Sequence, residues 1–217
     1  MKNIAKKILS LAALFSLVVG GQVFAASTST QMSQAINQGT LDIEVVDSAG
    51  VIVPSPSVAF SSAPFSFDDQ DTTAVLGTND QRMRVYNPTN NSEWTVSVAA
   101  LNPTDVWTDG ATFSYDFNDG SGYADGADTD TVGGQLAVDP TTASIGVPDV
   151  KCNTTGISLG SASAFSEGSV DSVTVAVAGL TAKKFCRWDF TNVGLTQKIP
   201  GLQEAASYTL SLSLSVI

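Results

Sequence analysis

Oxygen-bearing side chains crowd one short stretch of the chain, DFNDGSGYADGADTD. Asp116, Asn118, Asp119, Asp125, Asp128 and Asp130 all fall within it, interleaved with glycines. Calcium takes roughly six to eight oxygen ligands, and closely spaced Asp, Asn and carbonyl groups supply them. Glycine lets a backbone wrap an ion. These six residues are therefore the candidate metal ligands, with calcium as the candidate cofactor. The spacing is not that of an EF-hand, because DFNDGS lacks its third and fifth ligand positions and no glutamate closes the loop. The other reading is a solvated acidic hairpin loop. Crowded like charges repel, which argues for an ion or for disorder in its absence.

Other chemistry is narrower. The chain contains no histidine, which excludes a Ser-His-Asp triad and histidine-ligated zinc. It has no GxSxG elbow, P-loop or GxGxxG. Its two cysteines, Cys152 and Cys186, suit a disulfide in an exported chain, worth roughly 3–4 kcal/mol in the chain-entropy model. Glycoside hydrolysis needs only paired carboxylates, and Asp116 with Asp119 is the pair to consider. The acids lie mostly in turns, however, and no catalytic set is expected. For sugar binding, Trp107 and Tyr123 beside the acidic loop are the candidate ligand-binding aromatics, with Tyr115 near them. Tyr115 and Phe117 read equally as core residues of a hairpin.

The elements that must position these residues are strands. Alternation of period two runs through TLDIEVVD, QRMRVYN, EWTVSVAA, SVTVAVAG, FCRWDFT and YTLSLSLSVI. It places Leu41, Ile43 and Val45 on one face, and likewise Met83 with Val85. Trp94, Val96 and Val98 share another, as do Val173, Val175 and Val177. Cys186, Trp188 and Phe190 oppose Arg187 and Asp189. Tyr208, Leu210, Leu212, Leu214 and Val216 form the longest run. Trp94 and Trp188 fall on buried faces, which leaves Trp107 as the exposed tryptophan. Turn clusters such as NPTNNS, NPTDV and DPTT separate the runs. No segment after the N-terminal leader has a helical period. The pattern predicts an all-β, antiparallel β-sandwich, jelly-roll-like or Ig-like, with one face of each strand in solvent.

The N-terminus reads as a leader. Lys2, Lys6 and Lys7 precede the apolar run ILSLAALFSLVVGG, and Val23 and Ala25 occupy the small-residue positions of a cleavage site. The expected organisation is a signal peptide over 1–25, a flexible segment over 26–39 and one sandwich domain over 40–217. Cleavage leaves 7 basic against 21 acidic residues, 7 minus 21 or −14. Such a surface repels nucleic acid and anionic lipid. No second apolar span follows, so no transmembrane anchor is expected after cleavage.

Two stretches carry a resemblance to exported bacterial surface β-sandwich proteins. QRMRVYNPTNNS-EWTVSVAA with the closing YTLSLSLSVI resembles the WxL cell-wall-binding domain. Trp94-Thr95-Val96 stands at its first Trp-x-Leu motif, with Val for Leu. Leu214-Ser215-Val216 stands at its second, where the tryptophan is replaced. INQGTLDIEVVD is similar to the start of camelysin-like and biofilm matrix-fibre proteins, a jelly-roll family whose fibre members donate an N-terminal strand to a neighbour. Export, all-β patterning, Ser/Thr-rich strands, a disulfide and the lack of a catalytic set point to a secreted, non-enzymatic protein of the cell surface, structural or adhesive, and the resemblances fit that expectation. Its expected partners are a cell-wall polymer or copies of itself. A carbohydrate-binding module is the alternative, and a secreted glycoside hydrolase a third.

Overall fold

The computed structural model describes residues 33–126 and 131–217. The expected signal peptide lies outside the described residues. Residues 33–39 are exposed and carry no regular structure, and the compact unit begins at Asn37.

The described fold is nearly all β. Its strands are β1 (Asp42–Val46), β2 (Gln70–Leu76), β3 (Arg82–Asn87), β4 (Trp94–Ala100), β5 (Trp107–Thr108), β6 (Ser114–Tyr115) and β7 (Gln135–Asp139). They continue as β8 (Ser144–Gly146), β9 (Ile157–Leu159), β10 (Ser163–Ala164), β11 (Ser172–Ala178), β12 (Cys186–Thr191), β13 (Val193–Ile199) and β14 (Leu212–Val216). All pairing within the sheets is antiparallel. The orders are β1-β3-β12-β8, β10-β7-β13-β2 and β14-β4-β11-β9, with β5-β6 as a separate pair.

The first two sheets run into each other around a corner. Asn192 alone separates β12 from β13 and sits in the left-handed region at φ 64°. A 3-10 turn, Pro140–Thr142, separates β7 from β8 at the same level, and the turn from Gly77 to Gln81 separates β2 from β3. Hydrogen bonds tie the three bends together. Asn192 N donates to Gly77 O at 2.8 Å, Thr142 Oγ1 donates to Asn192 O at 2.8 Å, and Gly194 N donates to Thr142 Oγ1 at 2.9 Å. Strands that change direction at bends make such corners in orthogonally packed sheets. The β14-β4-β11-β9 sheet packs against this bent layer.

The core lies between them. Met83, Val85, Trp188 and Phe190 enter from one arm, Leu136, Val138 and Leu195 from the other, and Val96, Val98 and Val173 from the facing sheet. Trp94 packs on Trp188 with ring centroids 5.3 Å apart. The expected disulfide forms between Cys152 and Cys186, with Cα atoms 5.8 Å apart.

Two expectations from strict alternation are corrected. In β11, Val173 and Val175 face the core but Val177 does not, and Ala176 and Ala178 take the inward positions. A bulge between Thr174 and Ala176 reverses the phase. Val175 O accepts from Gly160 N at 2.9 Å, and a Cβ on Gly160 would lie 1.9 Å from Thr174 O. Only glycine fits against the bulged strand there. The second correction concerns the outer face of β3 and β12, expected in solvent. Arg84 and Asp189 sit opposite each other in register and are both buried. Arg84 Nε and Nη2 donate to the two Asp189 carboxylate oxygens at 2.6 and 2.8 Å, and Arg82 Nη1 approaches the same carboxylate at 3.4 Å.

Candidate functional site

The acidic stretch begins as an inner, strand-like run. Asp116 N donates to Gly133 O, Leu136 N to Phe117 O and Asp119 N to Gly134 O. Phe117 packs on Phe165 and is buried. Its flanking polar residues are drawn inside with it, and Asp116, Asn118 and Asp119 are all nearly inaccessible. Each side chain answers a local donor or acceptor. Asp116 Oδ1 accepts from Phe117 N at 2.6 Å, and Asn118 Nδ2 donates to Pro103 O at 2.6 Å. Asp119 receives Ser121 N on one oxygen at 2.6 Å and Gly126 N on the other at 2.7 Å. This is how the fold tolerates the crowding: the buried carboxylates are held by backbone N–H groups.

Among the described residues no group of three or more Asp, Glu, Cys or His side chains converges as a metal cage. Asp125 is exposed, and Asp128 and Asp130 lie outside the described residues. Asp119 closes its turn with two charge-assisted bonds, so Asp119→Ala should cost about 1–3 kcal/mol. A fall in urea midpoint with unchanged slope checks this. Asp119→Asn, which keeps one acceptor, should lose less.

Tyr123 is half-buried, and its hydroxyl donates to Asp71 Oδ1 at 2.7 Å. The Lys198 ammonium lies 5.3 Å from the ring centroid. The hydrogen bond to Asp71, aided by burial and by the charges of Asp71 and Asp69, pushes the phenol from 10.0 up to about 12. A raised folded-state value means that this contribution to stability is complete below pH 10 and lost as pH rises through about 12. A spectrophotometric titration of phenolate should therefore lose a late-titrating tyrosine in Tyr123→Phe, whose stability should be flatter over that window.

Trp107 is corrected from exposed to half-buried. Its ring stacks on Tyr115 at 5.9 Å and meets the Phe60 edge at 5.4 Å. Its Nε1 donates to Gln197 Oε1 at 2.8 Å. Gln197 is fully buried and spends its amide N–H groups on Asp116 O and Lys198 O. One glutamine thus fastens the tryptophan to the start of the acidic stretch. Gln197 went unread in the sequence, although it is the polar residue at the third inward position of VGLTQKI, after Val193 and Leu195. Phe60 stands outside any regular strand and gave no such signal, while Tyr208, expected at the head of the closing alternating run, lies ahead of β14, which begins only at Leu212.

Trp107 also forms part of a cavity of about 370 Å³. It lies between the Pro56–Phe60 segment and the Tyr208–Leu214 segment, over Met83, Val98, Leu136 and Leu195. Among the described residues its wall carries no carboxylate, amine, guanidinium or thiol. The recess can take an apolar group; nothing on its wall can serve as an acid–base pair at neutral pH.

The two stretches matched to the WxL motifs are neighbours in one sheet. Val216 pairs with Val96 and Leu214 with Val98, and Ile217 exchanges backbone bonds with Thr95. Trp94 is buried, and its indole N–H meets no acceptor among the described residues. Leu212, Leu214 and Val216 are half-buried. No family model matches this chain, and no curated protein matches it.

Proposed function

We propose that the chain is a non-enzymatic exported protein of the bacterial surface, structural or adhesive, acting on the envelope or in an extracellular assembly. The observation that carries this reading is where the acids go. Asp116 and Asp119, the pair available for hydrolysis, are buried and bonded to nearby backbone N–H groups, while the sizeable recess has a mainly apolar, uncharged wall. A disulfide-stapled β body adds to it. Labelling intact cells with a membrane-impermeant reagent, alongside fractionation, tests the reading. Label on the protein, or its appearance in the medium, is the expected result; confinement to the cytoplasm would sink it.

A second reading, a cell-wall or carbohydrate-binding module, draws on the aromatic group of Trp107, Tyr115 and Tyr208, of which Trp107 and Tyr208 line the cavity. It requires retention on purified wall polymer and loss of that retention in Trp107→Ala with the fold intact. The hydrolase alternative requires glycan hydrolysis that fails in both Asp116→Asn and Asp119→Asn. Calcium belongs to the proposal through the exposed part of the acidic loop, such as Asp125. Millimolar calcium should then raise the melting temperature and chelator should return it. A melting curve indifferent to both removes the ion.

A further inference from the structure

We infer that this protein associates with a second copy of itself head to tail, through two unlike and complementary ends of the domain. The inference rests on the surface-protein reading and names its interface. The ends are those of the bent path β12–β13. At the Cys186 end, Leu180, Phe185 and Val150 are 79%, 60% and 101% exposed. Lys151, Lys183 and Lys184 stand exposed among them. With Arg187, four of the seven basic residues beyond the leader gather here, on a chain of net charge −11. The nearby acids are Asp42, Glu93 and Asp149, and Asp149 is paired with Arg187.

At the Ile199 end the signs reverse. Phe65, Phe67 and Leu202 are 49%, 79% and 60% exposed. Asp68, Asp69, Asp71 and Glu204 surround them, all exposed, with Lys198 as the one cation alongside. Contacts hold this end together: Leu202 N donates to Ser66 O, Gly201 N to Asp69 Oδ1, and the Phe65 and Phe67 rings meet edge to face at 5.3 Å.

Backbone geometry marks the same two places. Among the described residues, three non-glycine residues have positive φ: Phe185 at 58°, Asn192 at 64° and Leu202 at 67°. Asn192 makes the corner, and asparagine tolerates this region. Phe185 and Leu202 do not tolerate it readily, and each holds an exposed apolar side chain, one at each end. Strain that persists on bulky surface residues points to a use. The basic end is also rigid, because the disulfide and the bond from Lys183 Nζ to Lys151 O join its two loops, and rigidity lowers the ordering cost of association. Exposed apolar groups ringed by opposite charge fit one another. Since the two surfaces differ, each added copy brings a further open end, and the contact propagates into chains or closes into a ring.

Sedimentation velocity over a concentration series tests this. The wild-type protein should form concentration-dependent oligomers. Lys183→Glu with Lys184→Glu gives a copy with two acidic ends, and Asp68→Lys with Glu204→Lys gives one with two basic ends. Each should associate at least about tenfold more weakly alone, with circular dichroism unchanged, and an equimolar mixture should recover the oligomers. A wild type that stays monomeric, or reversals that leave association untouched, would overturn the inference. Surface labelling separates the two claims: a labelled monomer removes this interface and leaves the surface reading standing.

Discussion

Asp189→Ala should lose about 3–5 kcal/mol of folding stability, because it strands the Arg84 guanidinium in the protein. Side-chain exposure of the two partners is 6% and 7%. The β1–Val51 turn makes this so: Asp47 Oδ1 caps it by accepting from Ala49 N and Val51 N, and the turn lies on the arginine. A Cβ on Gly50 would come within 2.6 Å of Arg84 Nη1, so the turn can rest there only with glycine. The carboxylate raises the Arg84 pKa still further above its ordinary value, chiefly through the hydrogen bonds. Without that carboxylate an arginine still keeps its proton at any working pH, so the guanidinium cannot escape the penalty by losing it. The paired replacement Arg84→Leu with Asp189→Leu should recover most of the loss, since removing both charges leaves no buried ion. Urea unfolding of wild type, single and double variants gives the comparison. A single variant within 1 kcal/mol of wild type would show the turn lifting to let water in.

Removing the disulfide by Cys152→Ala with Cys186→Ala should cost about 2–5 kcal/mol. The cross-link spans 34 residues, and that closed loop limits the unfolded chain's freedom. It also has a native-state role. Asn153, next to Cys152, offers its carbonyl to Trp188 Nε1 at 2.8 Å. Trp188 lies at the centre of the core on Trp94, so the staple holds in place the one acceptor given to that indole. Reduction by thiol should produce the same shift in urea midpoint as the double replacement. A shift from reduction alone, absent in the double variant, would mean that the alanines repack what the thiols cannot.

Much of the strand content was legible as alternation, and the reason is local. In β4 and β12 the inward residues are large and apolar and each strand keeps one phase, so Trp94, Val96, Val98, Trp188 and Phe190 declare themselves. Where the outcome depended on a partner far along the chain, the pattern misled. Val177 turns outward because Gly160 takes the Val175 carbonyl, a contact between segments with no local signature. Arg84 and Asp189 each look like solvent-facing charges, and burial comes only from their meeting across two strands under a turn. The disulfide was legible from the even cysteine count together with the export expected from the N-terminal sequence. Of the site, the acidic stretch was visible as composition, but the inward placement of Asp116 and Asp119 follows from pairing with Gly133–Leu136. The cavity was not legible at all, since its walls come from an irregular segment and the approach to β14. Strand preference measures fit to neighbours more than an intrinsic backbone choice.

The placement of β14 has a kinetic consequence. Its partner β4 lies far back in the chain, and Ser213 Oγ reaches Ala99 O across 114 residues. Bringing such distant segments together comes late and slowly, in the millisecond-to-second regime of domains dominated by non-local pairing. Until Leu212–Val216 docks, β4 presents an unpaired edge carrying Val96 and Val98, and such an edge invites pairing with other chains. The serines that alternate along β14 and at Ser97 keep the outer side of that seam polar, which limits the hazard while the domain waits for its closing strand.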